Sequence, residues 1–79
     1  MEAFLEYTIK QLIEYPDEMI LSRHEVGRKI TFHLKLRQSD VGKVIGKSGH
    51  TIAALRTLLN AAASLHGQKA TLEIIEDRH

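Results

Sequence analysis

The sequence predicts an α+β domain in which three helices pack on one face of a mixed three-stranded sheet. Its 79 residues suit a single domain, and a hydrophobic fraction of 43% is typical of a folded globule. Apolar residues recur at helical spacing in two segments, N-capping residue types mark a short helix before the second, and strict alternation of apolar and polar residues marks one strand. Two weaker strand segments complete the predicted order of helix, strand, strand, helix, helix, strand.

The first predicted helix covers residues 1–15. Its apolar stripe consists of Phe4, Leu5, Ile9, Leu12 and Ile13. Charged residues occupy several of the remaining positions, so the opposite face of this helix should be solvated. Proline disfavours the α conformation in the residue before it, which places the end of the helix at the Tyr15-Pro16-Asp17 break.

A hairpin is predicted over residues 19–37, with its turn at Gly27-Arg28. The second strand of this hairpin gives the clearest signal in the chain. Its apolar residues are Ile30, Phe32, Leu34 and Leu36, and they alternate with Thr31, His33, Lys35 and Arg37. One face of the strand should therefore be buried against the helices, while the other should be polar and partly basic.

The sequence of residues 39–66 predicts two helices that are separated by a four-residue loop. Ser39 and Asp40 are residue types that cap helix N-termini, so the first of these helices should begin there and run to about Ile45. The second helix is rich in alanine and leucine and should run from His50 to about His66.

The last predicted strand, at residues 69–75, follows a helix end that is marked by Gly67, a residue suited to the left-handed position there. Two helices separate this strand from the one before it, which is the long connection that parallel pairing requires. The first two strands have a short connection and should pair antiparallel. The helices then share one face of a mixed sheet, and the other face remains in solvent.

The loop Gly46-Lys47-Ser48-Gly49 is the most informative motif. Glycine adopts positive φ angles and has no Cβ to block an approaching group. The first N–H groups of the following helix lack partners within that helix and, together with the helix dipole, favour an anion. Lys47 adds a positive charge, and Lys43 lies one helical turn before it. A phosphate clamp is predicted; the alternative is a plain helix-to-helix turn with an exposed lysine.

The net charge of +1 conceals an uneven distribution. Residues 1–25 hold six acidic and two basic side chains and net −4, whereas residues 26–69 hold eight basic and one acidic side chain and net +7. Residues 70–79 net −2. A basic middle between acidic ends is consistent with an anionic ligand, although an ordinary mixed surface gives the same counts.

The segment from Val44 to Ile52 resembles the I-G-x-x-G signature of KH domains, with a predicted helix on each side. The resemblance continues through Tyr15-Pro16-Asp17-Glu18, Asp40 to Lys47, Ala54 to Leu59 and Leu72 to Ile74. The element order is similar to that of type II, or prokaryotic, KH domains, and the whole chain resembles the small bacterial proteins that consist of one such domain. This resemblance implies a single KH domain over residues 1–79. His50 departs from the family pattern, in which an arginine is expected.

The resemblance implies an RNA-binding protein and RNA chaperone that clamps the backbone of single-stranded RNA. The implied protein partners are a second copy, in a homodimer, and the larger KH protein KhpB (Jag), with a role in post-transcriptional regulation linked to the cell envelope and cell length. The implied RNA-binding residues are Gly46, Lys47, Ser48 and Gly49, flanked by Lys43, His50 and Arg56, with Val44, Ile45 and Ile52 lining a groove beneath the bases. No aromatic residue lies in the loop, so base stacking is not the expected mechanism.

Three other classes of function compete with this prediction. A Walker A motif needs four residues between its glycines, whereas Gly42 and Gly46 enclose three, which argues against a P-loop NTPase. The histidines have no metal-ligand spacing and there is no cysteine, so neither an enzyme nor a cofactor is predicted. These histidines are His24, His33, His50, His66 and His79. A protein–protein adaptor or dimerisation module stays open, because the alanine-rich last helix has a wide apolar face.

The cellular location is expected to be the cytoplasm. No stretch approaches the ~18 consecutive apolar residues of a membrane span. The N-terminal residues lack the basic start and apolar run of a signal peptide. The absence of cysteine also suits a reducing compartment. No membrane association is therefore expected.

Overall fold

The computed structural model describes residues 1–75, and their elements follow in the predicted order. The helices are α1 (Glu2–Leu12), α2 (Gln38–Ile45) and α3 (His50–Ser64), and the strands are β1 (Ile20–Val26), β2 (Lys29–Lys35) and β3 (Lys69–Ile75). One-turn 3₁₀ helices lie at Pro16–Glu18 and Lys47–Gly49. The α+β prediction is confirmed. His79 and the acidic residues beside it lie outside the described range.

The sheet has the strand order β1-β2-β3, with β2 in the centre. β1 and β2 are antiparallel and are joined by a two-residue turn between the paired residues Val26 and Lys29. Gly27 in that turn has a φ of +60°, the left-handed value that tight hairpins need. β2 and β3 are parallel and in register from Lys29 opposite Lys69 onward. The predicted mixed sheet is therefore confirmed.

The hydrophobic core lies between the sheet and the three helices. The predicted inward row of β2 is buried, with Ile30, Phe32 and Leu34 fully inaccessible to solvent. The other buried apolar side chains are Leu5, Ile9, Ile13, Leu36, Val44, Ile52, Leu55, Leu59, Ala63, Ala70 and Leu72. Because every α-helix and every strand except β1 contributes to this set, the helices and the central strand share one core.

Asp40 corrects the predicted start of α2. It does not cap the helix, and neither does Ser39, because the N-cap residue is Arg37 and no side chain bonds there. Asp40 lies in the first turn, fully buried. Its two carboxylate oxygens accept hydrogen bonds from the backbone N–H groups of Glu14 and Tyr15, at 3.1 and 3.0 Å. The carboxylate thus fastens α2 to the segment that follows α1.

The same contact explains why α1 ends at Leu12 rather than at Tyr15, as predicted. Pro16 constrains only the residue before it, but the N–H groups of Glu14 and Tyr15 point to Asp40 instead of back into the helix. The chain is already extended at Ile13, with φ −105° and ψ 157°. A partner distant in sequence therefore decides the boundary.

At its other end, α3 stops at Ser64 in a Schellman motif. The N–H of Gln68 donates to the carbonyl of Ala63 at 3.0 Å, and the N–H of Gly67 donates to that of Ser64 at 3.1 Å. Gly67 has a φ of +69°, as its predicted position after the helix requires. The helix is shorter than expected because Leu65 and His66 belong to the turn. Among residues 1–75, no helix is long and apolar enough to cross a membrane.

Candidate nucleic-acid interface

The loop between α2 and α3 has an unusual backbone. Gly46 has φ 78° and ψ 175°, a combination open essentially to glycine alone, and Gly49 has φ 74°. Ser48 between them has φ 55° and ψ 24°, the left-handed conformation that L residues rarely adopt. Three of the four loop residues therefore have positive φ, which turns the chain sharply and separates the two helices.

Gly46 is also required by its surroundings. A Cβ at this position would overlap the hydroxyl of Thr51 and would lie 2.6 Å from its Cβ. By contrast, a Cβ at Gly49 would meet no atom within 4 Å. Thr51, the second residue of α3, therefore packs against the loop. Sequence reasoning did not single it out, because the motif itself contains only the loop residues.

Backbone hydrogen bonds close the loop only in part. The N–H of Gly49 donates to the carbonyl of Gly46 at 3.2 Å, and the N–H of His50 donates to that of Lys47. Within residues 1–75, no backbone carbonyl accepts from the N–H of Lys47 or of Ser48. Both residues are exposed. The N–H groups of Lys47 and Ser48 are therefore exposed donors, the kind of group that the predicted phosphate clamp requires.

The two lysines near the loop differ in their availability. Lys43 Nζ lies 3.1 Å from Glu14 Oε2 and 3.4 Å from Asp40 Oδ1. The hydrogen bond to Glu14, followed by the one to Asp40, raises the pKa of Lys43, so this ammonium stays charged but is already engaged by two carboxylates. Lys47 makes no ion pair with any described residue. It is the cation that the loop presents.

The network around Lys43 also sets the charge state of Asp40. Burial would raise the pKa of Asp40, but the N–H groups of Glu14 and Tyr15 and the Lys43 ammonium outweigh it and lower the pKa. The carboxylate is therefore ionised at neutral pH although it is buried. It stabilises the start of α2 from inside the protein and is inaccessible to a ligand.

Arg56 and His50 lie on α3, beyond the loop. The Arg56 Nε donates to the carbonyl of Leu72 in β3 at 2.9 Å, which ties the helix to the edge strand and orients the guanidinium group. Its remaining N–H groups stay available to a ligand. His50, the first residue of α3, is exposed beside the loop.

The three apolar residues expected to line a groove beneath the bases differ in burial. Val44 is fully buried and Ile52 is 8% exposed, because both point into the core between the helices and the sheet. These two residues therefore contribute to the core, and the groove beneath the bases stays a prediction. Ile45 is half-buried and packs on the rim of the same core. Helical periodicity identified these residues as apolar but could not separate core from groove.

The histidines do not form a metal centre in the described part of the chain. The rings of His24 and His33 lie 4.6 Å apart on the open face of the sheet, and His33 Nε2 lies 3.5 Å from Glu73 Oε2. Even so, residues 1–75 contain no group of three potential ligands positioned to hold an ion. His79 falls outside this range.

Two helices joined by a Gly-Lys-Ser-Gly loop, with one strand pair antiparallel and one parallel, define the class: this is a KH domain. The particular family follows from comparison with known proteins. The family model that describes the KH domain of KhpA and KhpB matches residues 2–74 of this chain. The chain belongs to this family, as the resemblance in its sequence implied.

Relatives of similar length support the same assignment. The chain is 42% identical to the RNA-binding protein KhpA of Chlamydia trachomatis over 78 residues, which cover 99% of this chain and all of the relative. It is 36% identical to the RNA-binding protein KhpA of Listeria monocytogenes over 76 residues, or 96% of this chain and all of that protein. For the KhpA of Oceanobacillus iheyensis, identity is 35% over 75 residues, or 95% of this chain and all of that protein. No solved structure gives a significant match.

Proposed function

We propose that this chain is a single KH domain that binds single-stranded RNA by holding the sugar-phosphate backbone at the Gly46–Gly49 loop. One observation carries the proposal: the exposed loop presents the Lys47 ammonium together with the N–H groups of Lys47 and Ser48, and no described residue occupies any of these donors. The name that the relatives share, RNA-binding protein KhpA, supports RNA as the ligand.

The loop would act through position and charge. Positive φ angles at both glycines and at Ser48 turn the backbone outward, so its amides meet a phosphate without rearrangement. Lys47 supplies a point charge at the same place, and His50 and Arg56 continue the donor surface along α3. All of these groups can bind the sugar-phosphate backbone without contacting a base, so we expect RNA binding with little sequence preference.

The test replaces both exposed loop side chains, in the variant Lys47→Asp/Ser48→Asp. Aspartate tolerates the left-handed conformation, so the fold should survive, whereas Gly46→Asp would collide with Thr51. Fluorescence anisotropy with a labelled oligouridylate should show affinity at least tenfold weaker than that of the parent, because two carboxylates replace the Lys47 ammonium and the Ser48 hydroxyl and repel the phosphate.

The matched control is Lys10→Asp/Ser39→Asp, which makes the same chemical change at exposed positions on α1 and α2. Circular dichroism should show both variants folded, and only the loop variant should lose affinity. Equal affinity of the folded loop variant and the parent would exclude the clamp. Equal losses in both variants would show that general charge, and not this loop, holds the RNA.

A second candidate function, self-association, has its own observation on α3. Ala54, Leu58 and Ala61 of α3 and Leu65, the residue directly after it, are all exposed and follow one another at intervals of four, three and four residues. This spacing forms a heptad seam on the side of the helix that faces away from the core. Leu58 is 54% and Leu65 is 84% exposed. Exposure of large apolar side chains in such a row is typical of an interface.

The occupant that we propose for this stripe is a second copy of the chain. The stripe contains no charged residue, so two copies would meet across a two-fold axis without repulsion, and the alanines allow the helices to approach closely. Light scattering after gel filtration should show a dimer for the parent and a monomer for Leu58→Glu/Leu65→Glu. Val26→Glu, at an apolar residue that is 80% exposed in the hairpin, should stay dimeric. A monomeric parent at ~100 µM, near the weak end of specific association, would exclude this candidate.

We also propose, from the family resemblance, that the chain acts in the cytoplasm as an RNA chaperone with KhpB (Jag), in post-transcriptional regulation linked to the cell envelope and cell length. The chain's membership of the family that contains the KH domains of KhpA and KhpB makes KhpB the partner to test. Affinity purification of a tagged chain from its host should recover KhpB together with RNA. Recovery of RNA without KhpB would separate the RNA-binding proposal from this one and exclude the partnership.

A further inference from the structure

The short segment at residues 14–18 pairs its carboxylates with the bases of α2. Glu14 Oε2 accepts a hydrogen bond from Lys43 Nζ at 3.1 Å. Glu18 Oε2 accepts one from Nη1 of Arg37, the N-cap residue of α2, also at 3.1 Å. The chain therefore provides its own anionic partners for two cations that stand on either end of the helix before the Gly46–Gly49 loop.

Asp40 holds Glu14 in its place beside Lys43. The buried carboxylate of Asp40 accepts the backbone N–H groups of Glu14 and Tyr15, which fixes this segment against α2. Lys43 follows Asp40 by three residues, so it lies one helical turn further along the same face. Because the backbone of Glu14 is held there, its ion pair with Lys43 is built into the fold.

The two carboxylates at Lys43 differ in whether a ligand can displace them. Asp40 is inaccessible to solvent and stays in contact with the ammonium at 3.4 Å. The side chain of Glu14 is 65% exposed and that of Lys43 is 44% exposed, so a dissolved anion reaches both. Exposed ion pairs are weak and are screened by salt. A phosphate can therefore take the place of Glu14 but not that of Asp40.

Lys43 is near enough to the loop to serve a strand that is held there. It precedes Gly46 by three residues, about 4.5 Å along the helix axis. The ammonium of a lysine sits on a flexible four-carbon chain, so it can turn from one anion to another. Lys47 has no carboxylate partner among the described residues, whereas Lys43 must leave Glu14 before it can meet RNA.

We propose that Glu14 competes with RNA for Lys43, so that a backbone phosphate beside the loop takes over the ammonium when the strand binds. The inference rests on the proposed function, because the loop has to hold the strand first. Each binding event then costs the ion pair between Glu14 and Lys43. Glu14 lowers RNA affinity without contacting the RNA, and removal of its charge should strengthen binding.

The test is the variant Glu14→Gln. Its backbone N–H still donates to Asp40, so the fold should survive, and circular dichroism checks this. At about 0.15 M salt, anisotropy with a labelled oligouridylate should show roughly threefold tighter binding than in the parent, because one exposed ion pair no longer opposes it. The slope of log affinity against log salt should become steeper by about 0.7, since one more phosphate is neutralised.

Two comparisons separate the release of Lys43 from a general loss of negative charge. Glu18→Gln breaks the other ion pair of the segment and should bind as the parent does, because Arg37 lies six residues before Lys43. In a Lys43→Gln background, Glu14→Gln should add no affinity, since the ammonium for which it competes is gone. Equal gains with and without Lys43, or an equal gain from Glu18→Gln, would show a general charge effect and overturn the proposal. So would the absence of any gain from Glu14→Gln.

The loop variant Lys47→Asp/Ser48→Asp distinguishes this inference from the proposed function. If the loop variant loses affinity while Glu14→Gln gains none, the clamp stands and the competition fails. If the loop variant binds RNA as the parent does, the clamp fails and the inference falls with it. In NMR spectra of the parent, the Lys43 Cε signal should move when the oligouridylate is added. A signal that keeps its free position at saturation would contradict the transfer of Lys43 to the RNA.

Discussion

Gly46 and Gly49 have the same residue type and similar φ angles, but a methyl group at each would have a different effect. At Gly49 the side chain would enter open space, so Gly49→Ala should cost only the left-handed backbone strain, about 1 to 2 kcal/mol. At Gly46 the methyl would also collide with Thr51, and Gly46→Ala should cost roughly 3 kcal/mol. Urea denaturation of the two variants measures the difference; equal losses would contradict the close packing of Thr51.

The buried carboxylate of Asp40 makes stability depend on pH. Its pKa is lowered in the folded protein, so its contribution is complete above the ordinary value of about 4 and is lost as the pH falls through the lower folded value. In Asp40→Asn, the amide nitrogen faces an N–H donor, and stability should fall at pH 7. Urea denaturation should show the difference from the parent shrinking below about pH 4. Asp17→Asn, at an exposed position, should differ little from the parent at every pH.

At the level of single residues, the sequence predicted the Gly46–Gly49 motif but not the tertiary contacts of the residues near it. The glycines and Lys47 are adjacent in the chain, so their arrangement follows from local chemistry. The roles of Asp40 and Lys43 depend on Glu14, which is 26 positions from Asp40 and 29 from Lys43. Aspartate occurs both as a helix cap and as a buried residue that links two segments, and only the tertiary contacts distinguish the two roles.

Among the elements, α3 and β3 are connected by side chains that bond to the backbone of the edge strand. Asn60→Ala should leave the N–H of the buried Ala70 without its acceptor, at a cost of about 1 kcal/mol. Hydrogen exchange at the Ala70 amide should become faster than in the parent. Asn60→Asp keeps an oxygen acceptor and should preserve most of the protection. Equal exchange in Asn60→Ala and the parent would show that another group satisfies this N–H.

Periodicity predicted these elements well wherever one face is buried. β2 has a strict alternation because its two faces meet different environments, and its inward row was identified correctly. β1 gave a weaker signal because it lies at the sheet edge and is largely exposed, with no fully buried residue. The predicted helix ends were less accurate, because hydrogen bonds to Asp40 end α1 and the Schellman motif at Gly67 ends α3. Neither feature changes the hydrophobic pattern from which the helices were predicted.

For the molecule as a whole, a single core means that one core substitution should weaken every element. Phe32→Ala should cost about 3 to 5 kcal/mol, a large part of the roughly 4 to 12 kcal/mol expected for a domain of this size. Phe4, which is 49% exposed on α1, provides the matched control, and Phe4→Ala should cost less than about 1 kcal/mol. Circular dichroism of helix and hydrogen exchange of β3 should report the same loss in Phe32→Ala. Retention of α1 after β3 has melted would contradict a shared core.

In the folded molecule, the charge distribution along the sequence does not correspond to a uniform surface charge. The segment that nets +7 is not a uniform basic surface, because acids from the N-terminal segment pair with two of its bases. Arg37 bonds to Glu18 at 3.1 Å and also lies 4.0 Å above the ring of Tyr15, and Lys43 pairs with Glu14. The sequence showed where the charges are but not which ones neutralise each other. Within the described residues, Lys47 in the loop and Arg56 on α3 keep their charges without a carboxylate partner.

The parallel pairing of β2 and β3 has a consequence for how the protein is made. The Gly46–Gly49 loop lies in the crossover between these strands, so the ribosome completes the loop before it makes the strand on which α3 packs. At about 5 to 20 residues per second, the interval from Gly49 to Ile75 takes on the order of a few seconds. During that interval the nascent chain holds the motif without its supporting strand. The RNA binding proposed for the loop should therefore arise only after β3 has been made and has joined the sheet.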